Sequence, residues 1–352
     1  MLLDLIKVFL PAVLSFAIGI GITPLVSHYL YSHRMWKKKA GKGDETPLFN
    51  KLHEVRESGT PRMGGVIIWI SAILATFGVS FLAGMFNTPV ISKLDFLSRD
   101  QTWIPLLALL IGAVIGLIDD LFEVRGSGDY KAGGLSLFKR LLVVGAVGLL
   151  AGLWFHFKLD IVAIGFPFLG TLTLGWLIIP LFAIVTLAVY SGGIIDGIDG
   201  LAGGIFAVIF GAYGAIAFFQ SQINLAAFCA AVLGGILAFL WFNIPPARFY
   251  MSETGSMALT LCLSIVAFTT DSLGEGEGIS VLLIIAFPLF ITSASVIMQK
   301  IWKKFFGKKL LIISPLHHHF EALGWPSYKV TMRYWVISII FAILGLILTL
   351  VS

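Results

Sequence analysis

Ten long apolar stretches decide what this chain can become. They run at roughly 5–31, 65–87, 103–122, 136–157, 174–192, 201–220, 224–243, 255–270, 278–302 and 332–351. Most approach the roughly 20 residues a helix needs to cross a hydrocarbon core. A backbone in hydrocarbon must satisfy its own N–H and C=O groups, so only helices or a closed barrel can span. These runs are too long for barrel strands, which take roughly 9–11 residues. Composition agrees: 58% of the 352 residues are hydrophobic and 12% charged, against about a quarter charged in soluble domains. The sequence therefore predicts an all-α polytopic membrane protein of about ten transmembrane helices. It reads as a single integral membrane domain over 1–352, with no soluble domain inserted. The first run, with only Lys7 as a nearby base, reads as a spanning helix rather than a secretory signal. One segment, 159–173, alternates loosely around Gly165, Pro167 and Gly170, which predicts a small β-hairpin on the outer face. Cys229 and Cys262 lie inside apolar runs, so no disulfide framework is expected.

Charge supplies the orientation. Of the 24 lysines and arginines, 20 fall in the odd-numbered loops between the runs. The positive-inside rule places those loops in the cytoplasm and both termini outside. The run Lys37-Lys38-Lys39 serves that orientation and meets anionic lipid headgroups. Membrane lipid, not nucleic acid, is the expected partner of this basic face.

The acids follow the same side. Asp119 and Asp120 close the third run, Asp196 and Asp199 lie in the fifth loop, and Glu253 in the seventh. His317, His318 and His319 lie in the ninth. The outer-loop acids (Asp95, Asp100, Asp160, Asp271, Glu275, Glu277) have no such pattern and are expected to be solvated. Carboxylates at membrane helix ends are costly and rarely kept without a use.

Asp196 and Asp199 stand three residues apart, each followed by a glycine. Carboxylates one turn apart repel unless a cation lies between them or one is protonated. Magnesium suits oxygen ligands together with phosphates, whereas no Cys/His spacing suggests zinc. The glycines are expected to let a cation or a large substrate approach closely. The alternative use of Asp199 is to cap the following helix. Asp119 and Asp120 diverge by about 100° on a helix, so one faces the bundle while its neighbour caps or meets solvent. Glu253, in Ser252-Glu253-Thr254-Gly255, opens a helix whose free N–H groups suit either a side-chain cap or a phosphate. The three histidines cannot all reach one metal from a regular helix; one or two can donate to phosphate or sugar oxygens.

Five segments carry a resemblance: HEVRESGTPRMGG (53–65), LIDD (117–120), IIDGIDGLAGG (194–204), WFNIPPARFYMSETGS (241–256) and SPLHHHFEALGWPSYKVTMRYW (314–335). In this order the chain resembles the phospho-MurNAc-pentapeptide translocase branch of the polyprenyl-phosphate N-acetylhexosamine-1-phosphate transferases. The three-histidine segment is the most specific to the branch. The resemblance implies a magnesium-dependent transfer from UDP-MurNAc-pentapeptide to undecaprenyl phosphate, giving lipid I and UMP. It also implies a site on the cytoplasmic face of a bacterial inner membrane, and a homodimer. By position, Asp119 and Asp120 are similar to aspartates that orient or deprotonate the lipid phosphate. Asp196 and Asp199 resemble the pair near the nucleotide, and Glu253, with Asp196, the metal ligands. Asn243 and Tyr250 resemble uridine-pocket residues, His317, His318 and His319 match the histidine motif, and Arg56 replaces a phosphate-binding lysine.

The pattern departs in three places. Gly193 stands where the family has asparagine and Glu253 where it has aspartate, and the basic residue common shortly after the Asp119-Asp120 pair is absent, with Glu123 nearby instead. Both a direct attack by the lipid phosphate and a route through an aspartyl-phosphate are compatible with these residues. A sister transferase using another UDP-amino sugar is the nearest alternative, which the histidines disfavour. An ion-coupled transporter is a remote one, because such sites lie near the bilayer midplane.

Overall fold

The apolar runs fold as helices, which close their backbone hydrogen bonds within each segment. The computed structural model describes residues 1–37, 59–86, 88–98, 100–127, 134–272 and 277–351. In chain order come α1 (Leu2–Ser32), α2 (Val66–Phe86), the short α3 (Pro89–Leu94), α4 (Trp103–Arg125) and α5 (Leu137–Leu159). A hairpin of β1 (Ala163–Phe166) and β2 (Gly170–Thr173) follows, then α6 (Ile178–Ser191), α7 (Leu201–Phe219), α8 (Ile223–Asn243) and α9 (Ser252–Ser272). The chain ends with the short α10 (Leu282–Ile285), α11 (Phe287–Phe306), the short α12 (Leu316–Ala322) and α13 (Ser327–Val351).

Among the described residues, nine helical segments are long and apolar enough to cross a membrane. The expected run at 278–302 differs: it is broken at Ala286, between α10 and α11. Pro288 sits in the first turn of α11, where its missing N–H is tolerated. Lys300, Lys303 and Lys304 then make the far half of α11 amphipathic rather than uniformly apolar.

α9 organises the bundle. It is the least apolar of the nine spans, yet almost all of it is buried. Hydroxyls in the middle of the helix are satisfied locally. Thr260, Ser264 and Thr269 donate to the carbonyls of Ser256 (2.7 Å), Thr260 (2.9 Å) and Ile265 (2.8 Å), one turn back. Small residues set how close its neighbours come. A Cβ on Gly112 of α4 would stand 2.6 Å from the Met257 carbonyl oxygen, and one on Gly116 would run into that of Glu253. Without those side chains the backbones of α4 and α9 touch. The C-terminal end of α4 thereby meets the N-terminal end of α9.

The hairpin forms where expected, with Ala163 opposite Thr173 and Phe166 opposite Gly170. It lies against the other end of α9, where Asp271 accepts from the backbone N–H groups of Gly165 (3.2 Å) and Ile279 (3.1 Å). Asp271 is buried, which corrects its expected solvation. A loop-like sequence context concealed that the hairpin folds over it. Asp95 is partly buried and accepts from Ser80 Oγ at 3.2 Å, whereas Asp100 and Asp160 are exposed as expected.

Candidate active site

The first turn of α9 presents N–H groups that no residue of its own helix can satisfy. Two distant carboxylates satisfy them. Asp196 Oδ2 accepts from Ser252 N at 2.7 Å. Asp120 accepts from Glu253 N (3.3 Å), Thr254 N (2.9 Å) and Thr254 Oγ1 (2.6 Å). Negative charge at a helix N-terminus is favoured, so the two acids cap α9 from other elements. Asp120 is fully buried by this arrangement. Arg62 Nε stands 3.8 Å from its Oδ1.

Asp119 points the other way and borders a cavity of about 590 Å³ at this end of the bundle. Its Oδ1 accepts from Leu135 N at 2.5 Å, and its Oδ2 lies 3.6 Å from Arg140 Nη1. The same Arg140 nitrogen is 2.6 Å from Glu253 Oε1, so one guanidinium joins the two carboxylates. Asp196, Asp199, Tyr250, Glu253 and His318 also line the cavity. Burial pushes the pKa of Asp196 up, against the lowering effect of the Ser252 hydrogen bond.

The Asp196–Gly200 loop is fixed from several sides. Asp199 Oδ2 accepts from Ala247 N (3.1 Å), and its carbonyl oxygen accepts from Thr331 Oγ1 (3.0 Å). Trp335 Nε1 donates to the Gly200 carbonyl oxygen at 3.1 Å. Asn243 is not among the cavity-lining residues; it sits behind the loop. Its Oδ1 accepts from Gly200 N and its Nδ2 donates to Phe249 O, both at 2.9 Å.

Gly197 lines the cavity, but the room that its missing side chain leaves is already taken. A Cβ on Gly197 would stand 2.5 Å from His317 Nε2 and 3.0 Å from His318 Nε2. The histidine rings therefore occupy that room. Gly200 has φ +75, the left-handed conformation that begins α7.

His317 is buried against the loop, while His318 reaches the cavity with Nδ1 2.8 Å from Glu321 Oε2. His319 turns away, and its Nδ1 accepts from Ile312 N at 3.2 Å. Tyr250 is tied to the segment before α2: its N–H donates to Pro61 O (2.9 Å) and its carbonyl oxygen accepts from Gly64 N (2.8 Å). Arg56 lies outside the described residues.

The cations were the part that sequence reasoning missed. Lys37, Arg62, Arg140 and Lys300 all border the cavity. Lys37 and Arg62 come from the connection between α1 and α2, Arg140 from α5 and Lys300 from α11, with no shared spacing. A signal existed for Arg140: with Lys139 it stands in the first turn of a largely apolar helix, and it lines the cavity beside Asp119. Gly193, at the departure from the family pattern, also lines the cavity; a Cβ there would make ordinary contact with Ser256 at 3.5 Å. Among the described residues, no group of three His, Cys, Asp or Glu side chains is arranged to hold a metal. Two hard carboxylates, Asp196 and Glu253, nevertheless border one cavity on either side of Ser252.

Comparison with known proteins gives consistent relatives. A family model described as Glycosyl transferase family 4 matches residues 102–271. A phospho-N-acetylmuramoyl-pentapeptide-transferase of Listeria innocua is 34% identical over 338 residues, covering 94% of this chain and 96% of the relative. The Listeria monocytogenes protein of that name is 33% identical with the same coverage. That of Geobacillus thermodenitrificans is 32% identical over 341 residues, 94% of each chain. Identity at this level over 94% of the chain means that this multi-pass membrane protein belongs to the phospho-N-acetylmuramoyl-pentapeptide-transferase family.

Proposed function

We propose that this chain transfers phospho-MurNAc-pentapeptide from its UDP carrier to undecaprenyl phosphate. The observation that carries the reading is the shared wall of the cavity, where Asp119, Asp196 and Glu253 meet Lys37, Arg62, Arg140 and Lys300 at one end of the bundle. Phosphoryl transfer asks a protein mainly for positioning and charge neutralisation, and this wall offers both. A site at a helix-end surface also suits one water-soluble and one lipid substrate.

An oxygen of the lipid phosphate attacks the sugar-linked phosphorus, the bond to the bridging oxygen breaks, and UMP leaves with that oxygen. Arg140 and Arg62 hold the diphosphate oxygens. Asp119 takes a proton still carried by the lipid phosphate, with Arg140 and the Leu135 N–H stabilising its charge. Tyr250 offers a ring face to the uracil. Asp120 touches no substrate; it positions Glu253 by fixing the first turn of α9.

Magnesium fits the donor set. It ordinarily asks a protein for one or two carboxylates and takes water and phosphate oxygens for the rest. Asp196 and the Glu253 oxygen not facing Arg140 are the residues that would hold it. When bound, it neutralises charge on the diphosphate and the leaving nucleotide. In this reading the cavity end of the bundle faces the cytoplasm at the bacterial inner membrane and both termini lie outside, which the distribution of basic residues among the loops supports.

The test is transfer of radiolabel from UDP-MurNAc-pentapeptide into undecaprenyl phosphate by the purified protein, with UMP release followed in parallel. Labelled lipid that requires magnesium is the expected result. No labelled lipid from this substrate, or an equal yield from UDP-GlcNAc, would overturn the reading.

A further inference from the structure

Glu123 lies one helical turn beyond Asp119 and Asp120 on α4 and lines the same cavity. An anion on the wall of a site that binds a diphosphate should weaken binding. Its partners give it a different role. One carboxylate oxygen is 3.0 Å from Lys37 Nζ and the other 3.1 Å from Arg62 Nη2. Both cations come from the polypeptide that joins α1 to α2, and they reach Glu123 from opposite sides of the undescribed residues. The two described ends of that polypeptide are joined to each other, with Arg62 N donating to Met35 O at 2.7 Å.

Like charges brought together repel unless an anion lies between them. Glu123 is that anion. The pairs are not solvent-screened surface bridges of little worth: the Lys37 and Glu123 side chains keep only 11% and 12% of their surface exposed. Each oxygen serves one cation, so the carboxylate fixes the separation of the two as well as their direction.

We propose that Glu123 is a positioning residue that clamps Lys37 and Arg62 side by side at the cavity rim, as a preformed grip for the phosphates of the nucleotide sugar. Arg62 also stands 3.8 Å from Asp120, so both cations are held by carboxylates before any ligand arrives and lose little freedom when it does. This inference rests on the nucleotide-sugar reading of the cavity.

The clamp and its rival predict opposite signs. In purified full-length protein, Glu123→Gln should raise the KM for UDP-MurNAc-pentapeptide about tenfold, the scale of one charge-assisted contact, with kcat little changed. If Glu123 were only a repulsive charge, the same variant would lower KM. A lowered or unchanged KM overturns the proposal. A charge swap covers the case in which Glu123→Gln does not fold. Glu123→Lys combined with Lys37→Glu should bind better than Glu123→Lys alone, and a swap no better than the single variant also overturns the clamp. If the wild type releases no UMP from any UDP-sugar, the functional reading fails by itself. Calorimetry with UDP then still reads the clamp, as weaker binding to Glu123→Gln than to wild type; equal or tighter binding would overturn it.

Discussion

The two ends of α9 use one device for different ends. At the cavity end, buried Asp120 accepts two backbone N–H groups and a threonine hydroxyl. At the hairpin end, buried Asp271 accepts the N–H groups of Gly165 and Ile279. Both carboxylates join segments that are distant in sequence. Their neighbourhoods differ. Arg62 stands 3.8 Å from Asp120, and Arg140 binds the adjacent acids beside an open cavity. The groups acting on Asp271 are hydrogen-bonding N–H groups and Glu277, with Tyr213 Oη donating to the nearby Gly278 carbonyl oxygen at 2.7 Å. A buried acid alone therefore marks a joint. A buried acid with cations and a cavity marks chemistry.

The sharpest way to break this comparison is to remove the cavity acids. Glu253→Ala and Asp196→Asn should each cut turnover by about a hundredfold or more, whereas Asp271→Asn leaves turnover per folded molecule unchanged. UMP release normalised to folded protein measures both, and near-normal turnover in Asp196→Asn would remove that residue from the site. Next comes Arg140→Ala, which leaves Glu253 and Asp119 without their shared cation. It should cost about ten- to a hundredfold in kcat/KM, roughly 1.4–2.7 kcal/mol, with partial recovery in Arg140→Lys because one ammonium cannot replace the guanidinium fork.

The capping pair sharpens the contrast. Asp120→Ala and Asp271→Ala should each destabilise the fold by about 1–3 kcal/mol, the cost of leaving buried donors unmet. Thermal unfolding in detergent measures that loss. Only Asp120→Ala should also lose turnover in the molecules that remain folded; the reverse assignment would end the distinction between the two ends. The smallest effect concerns pH. As pH falls, Asp196 without its metal takes up a proton and loses its charge, and its raised pKa makes this begin early. At limiting magnesium, where metal and proton compete for this carboxylate, the acid limb of kcat/KM should therefore lie above the ordinary aspartate value of about 3.9 and move to lower pH as magnesium is added. A limb that magnesium does not move would remove Asp196 from the metal site.

The spans could be read from sequence because hydrocarbon imposes one length and one kind of backbone. The run at 278–302 was harder, because counting apolar residues does not register the break at Ala286. Convergence of Asp119, Asp196 and Glu253 followed from the parity of the loops, which says at which end a residue lies. Parity does not say which way a side chain turns. Helix geometry says that Asp119 and Asp120 diverge, but not which does what: Asp119 lines the cavity and Asp120 caps a helix. The same limit hid the engagement of Asn243 behind the loop and the outward turn of His319. Gly197 looked like space for a ligand because its neighbour in three dimensions, His317, is far away in sequence.

The cap of α9 has a consequence for how the protein is made. Asp120 and Asp196 leave the ribosome well before Ser252, Glu253 and Thr254, the residues whose N–H groups they hold. Until α9 arrives, both carboxylates must keep water or a proton. In a nascent chain stopped short of residue 252 these two acids would still face water at the helix ends, so their buried arrangement forms only once α9 is in place.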